Sequence, residues 1–156
     1  MQKPIYLVIT ELFPTSDSFR GPYVYDQVRA IEKDGRYEVV VLRPTSWLHK
    51  EKNYEYNGIK VYRFTHYDLP SDMWPGSNTW LSLRAMDKCL KYLGIAYNDI
   101  AVVHAHVSNN ARFANHVKCQ NAECLTVLQH HGYDVLGLSL GRFSTKEWHR
   151  KRALRY

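Results

Sequence analysis

No CxxC pair joins the three cysteines, Cys89, Cys119 and Cys124, so neither a zinc ribbon nor a dithiol redox motif is indicated. Reduced, partly buried thiols are the expectation. No long apolar run is present. The one nearest the start, Ile5-Tyr6-Leu7-Val8-Ile9, is far short of the roughly 20 residues that a membrane helix takes. It also lacks the small-residue cleavage site of a signal peptide, which predicts a cytoplasmic location. Glycine-rich nucleotide motifs are missing too. Neither GxGxxG nor GxxxxGK[ST] occurs, which argues against a dinucleotide or P-loop site. No internal repeat, low-complexity tract or interdomain linker interrupts the chain.

What is there is one domain's worth of ordinary globular sequence. The chain has 156 residues, 45% hydrophobic and 23% charged, enough to bury a core and too apolar for a disordered segment. The net charge of +6 is concentrated at one end. Arg142 to Tyr156 takes six of the 21 basic groups and one of the 15 acidic ones, which leaves residues 1–141 at a net of +1. A body-wide nucleic-acid footprint is therefore not expected. The basic stretch reads first as a solvated helical face. Its second reading is contact with phosphates or anionic lipid heads, which would make the protein peripheral at the inner face of the membrane.

Strands and helices alternate. Ile5 to Thr10 reads as a buried strand, followed by a polar loop from Glu11 to Gly21. Pro22 suits the first turn of a helix over Tyr23 to Lys33, which Gly35 closes. Tyr37 to Arg43 is a second strand, ended by Pro44. Residues 45–57 form a polar connection that finishes in the turn signal Asn57-Gly58, and Ile59 to Phe64 alternates as a half-buried strand. A second long loop holds Pro70, Pro75 and Gly76. Asn78, as cap, opens a helix to Leu93, and Gly94 stops it. Ile100 to Val103 is a buried strand ending in His104-Ala105-His106. Ser108 to Lys118 is a helix, and Cys124 to Leu128 is the next strand. Gln129-His130-His131-Gly132-Tyr133-Asp134 follows, then a loop with Gly137 and Gly141. Ser144…Glu147 is a capping box for a last helix that is still running at Tyr156. That end predicts a chain cut within its last helix. The pattern predicts an α/β class: a three-layer Rossmann-like domain with a mainly parallel sheet and helices on both faces. Ligands of such sheets bind beyond the carboxyl ends of the strands, where the polar and glycine-bearing loops fall.

Two features there carry chemistry. Gly21 lies at the mouth of the first helix, where a glycine lets an anion approach the backbone and the helix start favours negative charge. An ordinary loop glycine is the competing reading. Four histidines, His104, His106, His130 and His131, stand at strand ends. A zinc site is one reading, though H-x-H with a distant H-H and no nearby carboxylate is a poor ligand pattern. Structural histidines are a second. A hydrogen bond or proton transfer to a polar substrate is a third. Strand alternation turns His131 to one side and His130 to the other, and His131 is assigned to the cleft. Asp134 reads as orienting a ligand hydroxyl, or as a turn residue.

Several segments in order resemble the N-terminal domain of glycosyltransferase family 4, enzymes of the GT-B fold. They are Ile5 to Gly21; Gly21-Pro22-Tyr23-Val24-Tyr25-Asp26-Gln27, similar to the family's G-x-F-V-x-x-Q; Tyr37 to Pro44; Tyr56 to Phe64; Asp99 to His106; and His131-Gly132-Tyr133-Asp134, similar to its H-G-x-D. The resemblance implies half an enzyme: residues 1–156 as the acceptor-side domain, with a C-terminal Rossmann-like donor domain as its missing partner. Transfer in the family is retaining and metal-independent, from a nucleotide-diphosphate sugar, with no cofactor. The implied acceptor is a glycan or lipid-linked glycan, in bacterial envelope polysaccharide assembly. His131 would be catalytic, beside the donor sugar. Gly21, Gly132 and Asp134 would lie near the donor phosphate or sugar. His106, Ser108, Asn109 and Asn110 would line the acceptor side. Pro22 replaces the second glycine common in the family's first loop and takes away one N–H. Two other readings stand beside this one: a non-catalytic carbohydrate- or nucleotide-binding module, and a zinc-dependent hydrolase.

Overall fold

A computed structural model describes residues 3–49, 51–67 and 78–132. The elements are β1 (Ile5–Ile9), α1 (Pro22–Asp34), β2 (Glu38–Ser46), β3 (Tyr54–Tyr56), β4 (Ile59–His66), α2 (Thr79–Tyr92), β5 (Ile100–His106), α3 (Ala111–Gln120) and β6 (Leu125–Gln129). The strands form one sheet in the order β3-β4-β2-β1-β5-β6. Every pairing is parallel except that of β3 with β4.

Successive side chains on a strand face opposite ways, and here both ways lead to a core. Ile5, Leu7 and Ile9 enter one core, with Leu42 and Val103, under α2 and α3. Met86 and Leu90 of α2 and Phe113 and Val117 of α3 complete it. Val8 enters the other core, with Val41 and Val61, under Val24 and Val28 of α1. Burial on both faces is why β1, β2 and β5 read as unbroken apolar runs. From β1 the chain crosses to β2 on one side through α1; from β4 it returns to β5 on the other side through α2. Right-handed crossovers in opposite directions place the helices on opposite faces. The reversal lies between β1 and β5, and their carboxyl ends flank the crevice where such sheets hold ligands.

The expected α/β architecture is observed, with local differences. Pro44 was expected to end β2, yet the strand runs on to Ser46. Thr10 N–H, bonded to the Leu42 carbonyl, makes the last link between β1 and β2. Beyond it β2 pairs with β4 alone, so proline's missing donor leaves no gap on the open side. The connection before Asn57-Gly58 holds the short strand β3, the first arm of a hairpin. Asn57 (φ 46°) and Gly58 (φ 85°) both have the positive φ of a type I′ turn. Asn78 sits at the cap of α2 as expected, but its backbone carbonyl does the bonding, to the amides of Leu81 and Ser82. His104 and His106 are inside β5 rather than beyond it, and residues 108–110 form a 3₁₀ turn before α3. Asp134, Gly137, Gly141, the helix from Ser144 and the basic stretch 142–156 lie outside the described residues, as do Pro70, Pro75 and Gly76. Among the described residues, no helix is long and apolar enough to cross a membrane.

Candidate functional site

Register brings the histidines together. His106 on β5 pairs with Gln129 on β6, so both side chains leave the same face of the sheet. Alternation returns that face at His131, two residues on. His106 Nδ1 lies 3.0 Å from His131 Nε2. The rings are within 5° of parallel with centroids 5.2 Å apart, so they meet edge to edge around this bond. His104, two residues before His106, stacks on it at 4.2 Å. The Tyr23 ring, in the first turn of α1, lies 4.8 Å from the His131 ring. His131 thus stands between the end of β5 and the start of α1, at the crevice. His130 turns the other way, and its Nδ1 lies 3.0 Å from Ser108 Oγ.

The inner members are neutral by construction. Gln129 Oε1, 3.1 Å from His104 Nε2, can only accept, so that nitrogen carries the proton. His104 Nδ1 then accepts from the Tyr6 hydroxyl at 3.1 Å. Burial, then the Tyr37 charge, raises the Tyr6 pKa and keeps that hydroxyl a donor. Burial lowers the pKa of His104, opposed by the Gln129 bond and helped by His131. His106 is 1% exposed. Burial first, then the charges of His104 and His131, push its pKa down to about 3.

Gly21 caps α1 at φ 74°, ψ 40°, and its carbonyl accepts from the amides of Val24 and Tyr25. A Cβ there would lie 2.2 Å from the Leu12 carbonyl oxygen. The close approach that demands glycine is thus made by the chain itself, and Pro22 takes one N–H from the turn. Gly132 (φ 76°) has nothing among the described residues within 4 Å of its Cβ position, and its backbone conformation calls for glycine. Ser108 is 6% exposed and engaged with His130. Asn109 is exposed. Asn110 is fully buried, and its Nδ2 donates to the His106 carbonyl at 2.8 Å. The structure therefore brings His131, His106 and the Gly21 turn together. It places Asn110 behind the cluster and Ser108 with His130.

Sequence reasoning missed Tyr6, Tyr23, Gln129 and Val107. Parity with Ile5, Leu7 and Ile9 marks Tyr6 as facing the other side of β1; no comparable signal exists for the others. Val107 adopts φ 72°, ψ 140° immediately after His106. A β-branched residue pays about 1–3 kcal/mol for such a conformation. Val107→Gly is therefore expected to leave stability within about 1 kcal/mol of wild type, since relief of strain offsets the glycine's extra unfolded-state entropy. Urea unfolding measures this; a loss above about 2 kcal/mol would mean that the backbone is not strained there.

A second concavity of about 840 Å³ opens between the ends of β2 and β4 and the helix α2. Trp47, Tyr67, Trp80, Arg84, Lys88 and Tyr92 line it. Trp47 and Trp80 are half exposed, and the Arg84 guanidinium lies 4.9 Å over the Trp80 ring. The groove is at the same carboxyl edge as the histidines. Three strand spacings separate β4 from β5, about 14 Å. Among the described residues, no three His, Cys, Asp or Glu side chains converge as metal ligands.

No family model matches this sequence, and no curated protein matches it. Among solved structures, it is similar to the sucrose-phosphate synthase of Thermosynechococcus elongatus, with a TM-score of 0.61 at 16% identity. The match covers 99% of this chain and 41% of that one. The protein therefore has an α/β fold built on a six-stranded, mostly parallel sheet, similar to the matched part of that synthase.

Proposed function

We propose that the chain is the acceptor-side half of a retaining, metal-independent glycosyltransferase. It would move a sugar from a nucleotide-diphosphate donor to a glycan or lipid-linked acceptor, in the cytoplasm at the inner face of the membrane, during bacterial envelope polysaccharide assembly. The observation that carries the reading is His131, held by a buried neutral His106 at the crevice beside the α1 start. An imidazole so placed donates to a sugar hydroxyl, or to an oxygen gaining charge as the glycosidic bond breaks. The start of α1 adds a positive dipole end toward the donor phosphates. The retaining, metal-independent chemistry and the envelope role are drawn from the resemblance to family 4. The groove along α2 suits the acceptor, with indole faces for sugar rings and Arg84 and Lys88 for an anionic group.

This reading makes the donor nucleotide the business of a second domain. The 156-residue chain should show no glycosyl transfer with any nucleotide sugar. Free nucleoside diphosphates should bind it with Kd in roughly the millimolar range, about −4 kcal/mol. Turnover by the chain alone, or micromolar affinity in calorimetry, would place the donor here and overturn the division of labour.

A further inference from the structure

We infer that the groove along α2 takes an acidic oligosaccharide, with a sugar carboxylate on Arg84 and Lys88 and sugar rings against Trp80 and Trp47. The choice of a glycan rests on the reading above; the charge and the length of the ligand rest on the groove itself.

Trp80, Arg84, Lys88 and Tyr92 stand at every fourth position of α2, so they form one ridge along the helix. At 1.5 Å per residue the ridge is about 18 Å long. All four side chains are exposed, Tyr92 to 81%. Trp47, just past β2, lines the same concavity. Aromatic side chains gathered in a concavity and left out of both cores mark a contact surface.

The ridge is positive and the protein does not neutralise it. Among the described residues, the side chains of Arg84 and Lys88 make no ion pair and no hydrogen bond. Asp87, the one acid of α2, accepts from the Tyr97 hydroxyl and bonds to His116 Nε2 at 2.9 Å. Glu51, the acid in the groove lining, pairs with Arg63. Even so, the buried Nε of Arg63 has no acceptor. Two exposed cations are left for a ligand. The Arg84 guanidinium, 4.9 Å over the Trp80 ring, is restrained while its N–H donors stay free. A restrained planar fork suits a carboxylate, which it binds through two parallel bonds. Lys88 adds a point charge one turn further on.

The shape selects an extended ligand over a membrane. A bilayer presents a plane, and a plane does not follow a concavity of about 840 Å³. The groove also lies about 14 Å from the strand that carries His106. An acceptor that fills the groove and reaches the histidines is therefore longer than one sugar ring.

Tryptophan fluorescence titration of the 156-residue chain with short oligosaccharides of glucuronic or galacturonic acid tests this without any donor. The comparison probes are the carboxyl-reduced forms of the same oligosaccharides, inorganic phosphate, and vesicles rich in anionic lipid. The acidic forms should bind about tenfold more tightly than the reduced ones, the worth of one charge-assisted hydrogen bond. Arg84→Gln combined with Lys88→Gln should abolish that preference and leave binding of the reduced forms unchanged. Trp80→Ala should weaken both. The substituted side chains are exposed, so the variants keep the fold. Equal binding of the acidic and reduced forms, no binding of any acidic form, or a preference that survives the double variant overturns the inference. So does a chain that binds phosphate as tightly as the glycan, or that binds only the vesicles. If a complete two-domain protein transfers no sugar, the functional reading falls, while the titration still decides the groove.

Discussion

In a protein that carries both halves of the cleft, His131→Ala is expected to lower kcat by about 30- to 1000-fold. That corresponds to roughly 2–4 kcal/mol of transition-state stabilisation, the range for one preorganised donor in a water-excluded site. The geometry supplies the preorganisation. The ring is held in its plane by His106 at 3.0 Å and flanked by Tyr23, so little reorganisation remains when charge develops. Nucleotide affinity should change little, since the other domain would hold the nucleotide. The fold should survive, because His131 contributes no side chain to either hydrophobic core. His130→Ala is the matched control. His130 is exposed and bonded to Ser108, so its loss should cost about 1 kcal/mol of stability at most and leave the rate near wild type. Steady-state kinetics on both variants check this. Full activity in the His131 variant, or a rate loss confined to the His130 variant, would put the wrong histidine in the cleft.

Acid should destabilise this chain early, and His106 should be a main cause. In the folded state its pKa is pushed down to about 3, first by burial. In the unfolded state an imidazole titrates near 6.5. Between those values the unfolded chain binds a proton that the folded chain refuses. Stability is therefore fully present above about pH 6.5 and falls as the pH drops toward 3, by about 1.4 kcal/mol per unit. From pH 7 to 4.5 the loss from His106 comes to about 2.5 kcal/mol. His104, whose pKa is also lowered by burial, adds a loss of the same sign. Urea unfolding of wild type and His106→Phe at the two pH values isolates the contribution. The wild type should lose about 2.5 kcal/mol more than the variant. Equal losses would mean that His106 is protonated in the native state.

The local elements of this fold were legible because their causes are local. Pro22 and Gly35 bound α1 through one fixed φ and one left-handed residue. Asn57-Gly58 makes its hairpin through two positive φ angles. The apolar runs of β1 and β5 mark strands covered on both sides. The errors also have local readings and non-local causes. Pro44 reads as a terminator, but only the sheet shows that no partner there needs the N–H that proline lacks. Tyr54-Glu55-Tyr56 is too short to read as a strand until β4 lies beside it.

The candidate site divides in the same way. The histidines, the Gly21 turn and their place at the carboxyl edge follow from the order of residues along the chain, since strand ends and helix starts are one-dimensional features. Which imidazole touches which does not. His106 and His131 are 25 residues apart, and Tyr6 and His104 are 98 apart. They meet because β1 pairs Val8 with His104 and β6 pairs Gln129 with His106. A slip of one residue in the β5–β6 register would carry His131 to the opposite face and break the pair. The sequence by itself determined an α/β sheet with histidines at the carboxyl edge of its strands. Only the tertiary structure decided that one is buried, neutral and behind another, because register and burial are properties of the packed sheet rather than of any one segment.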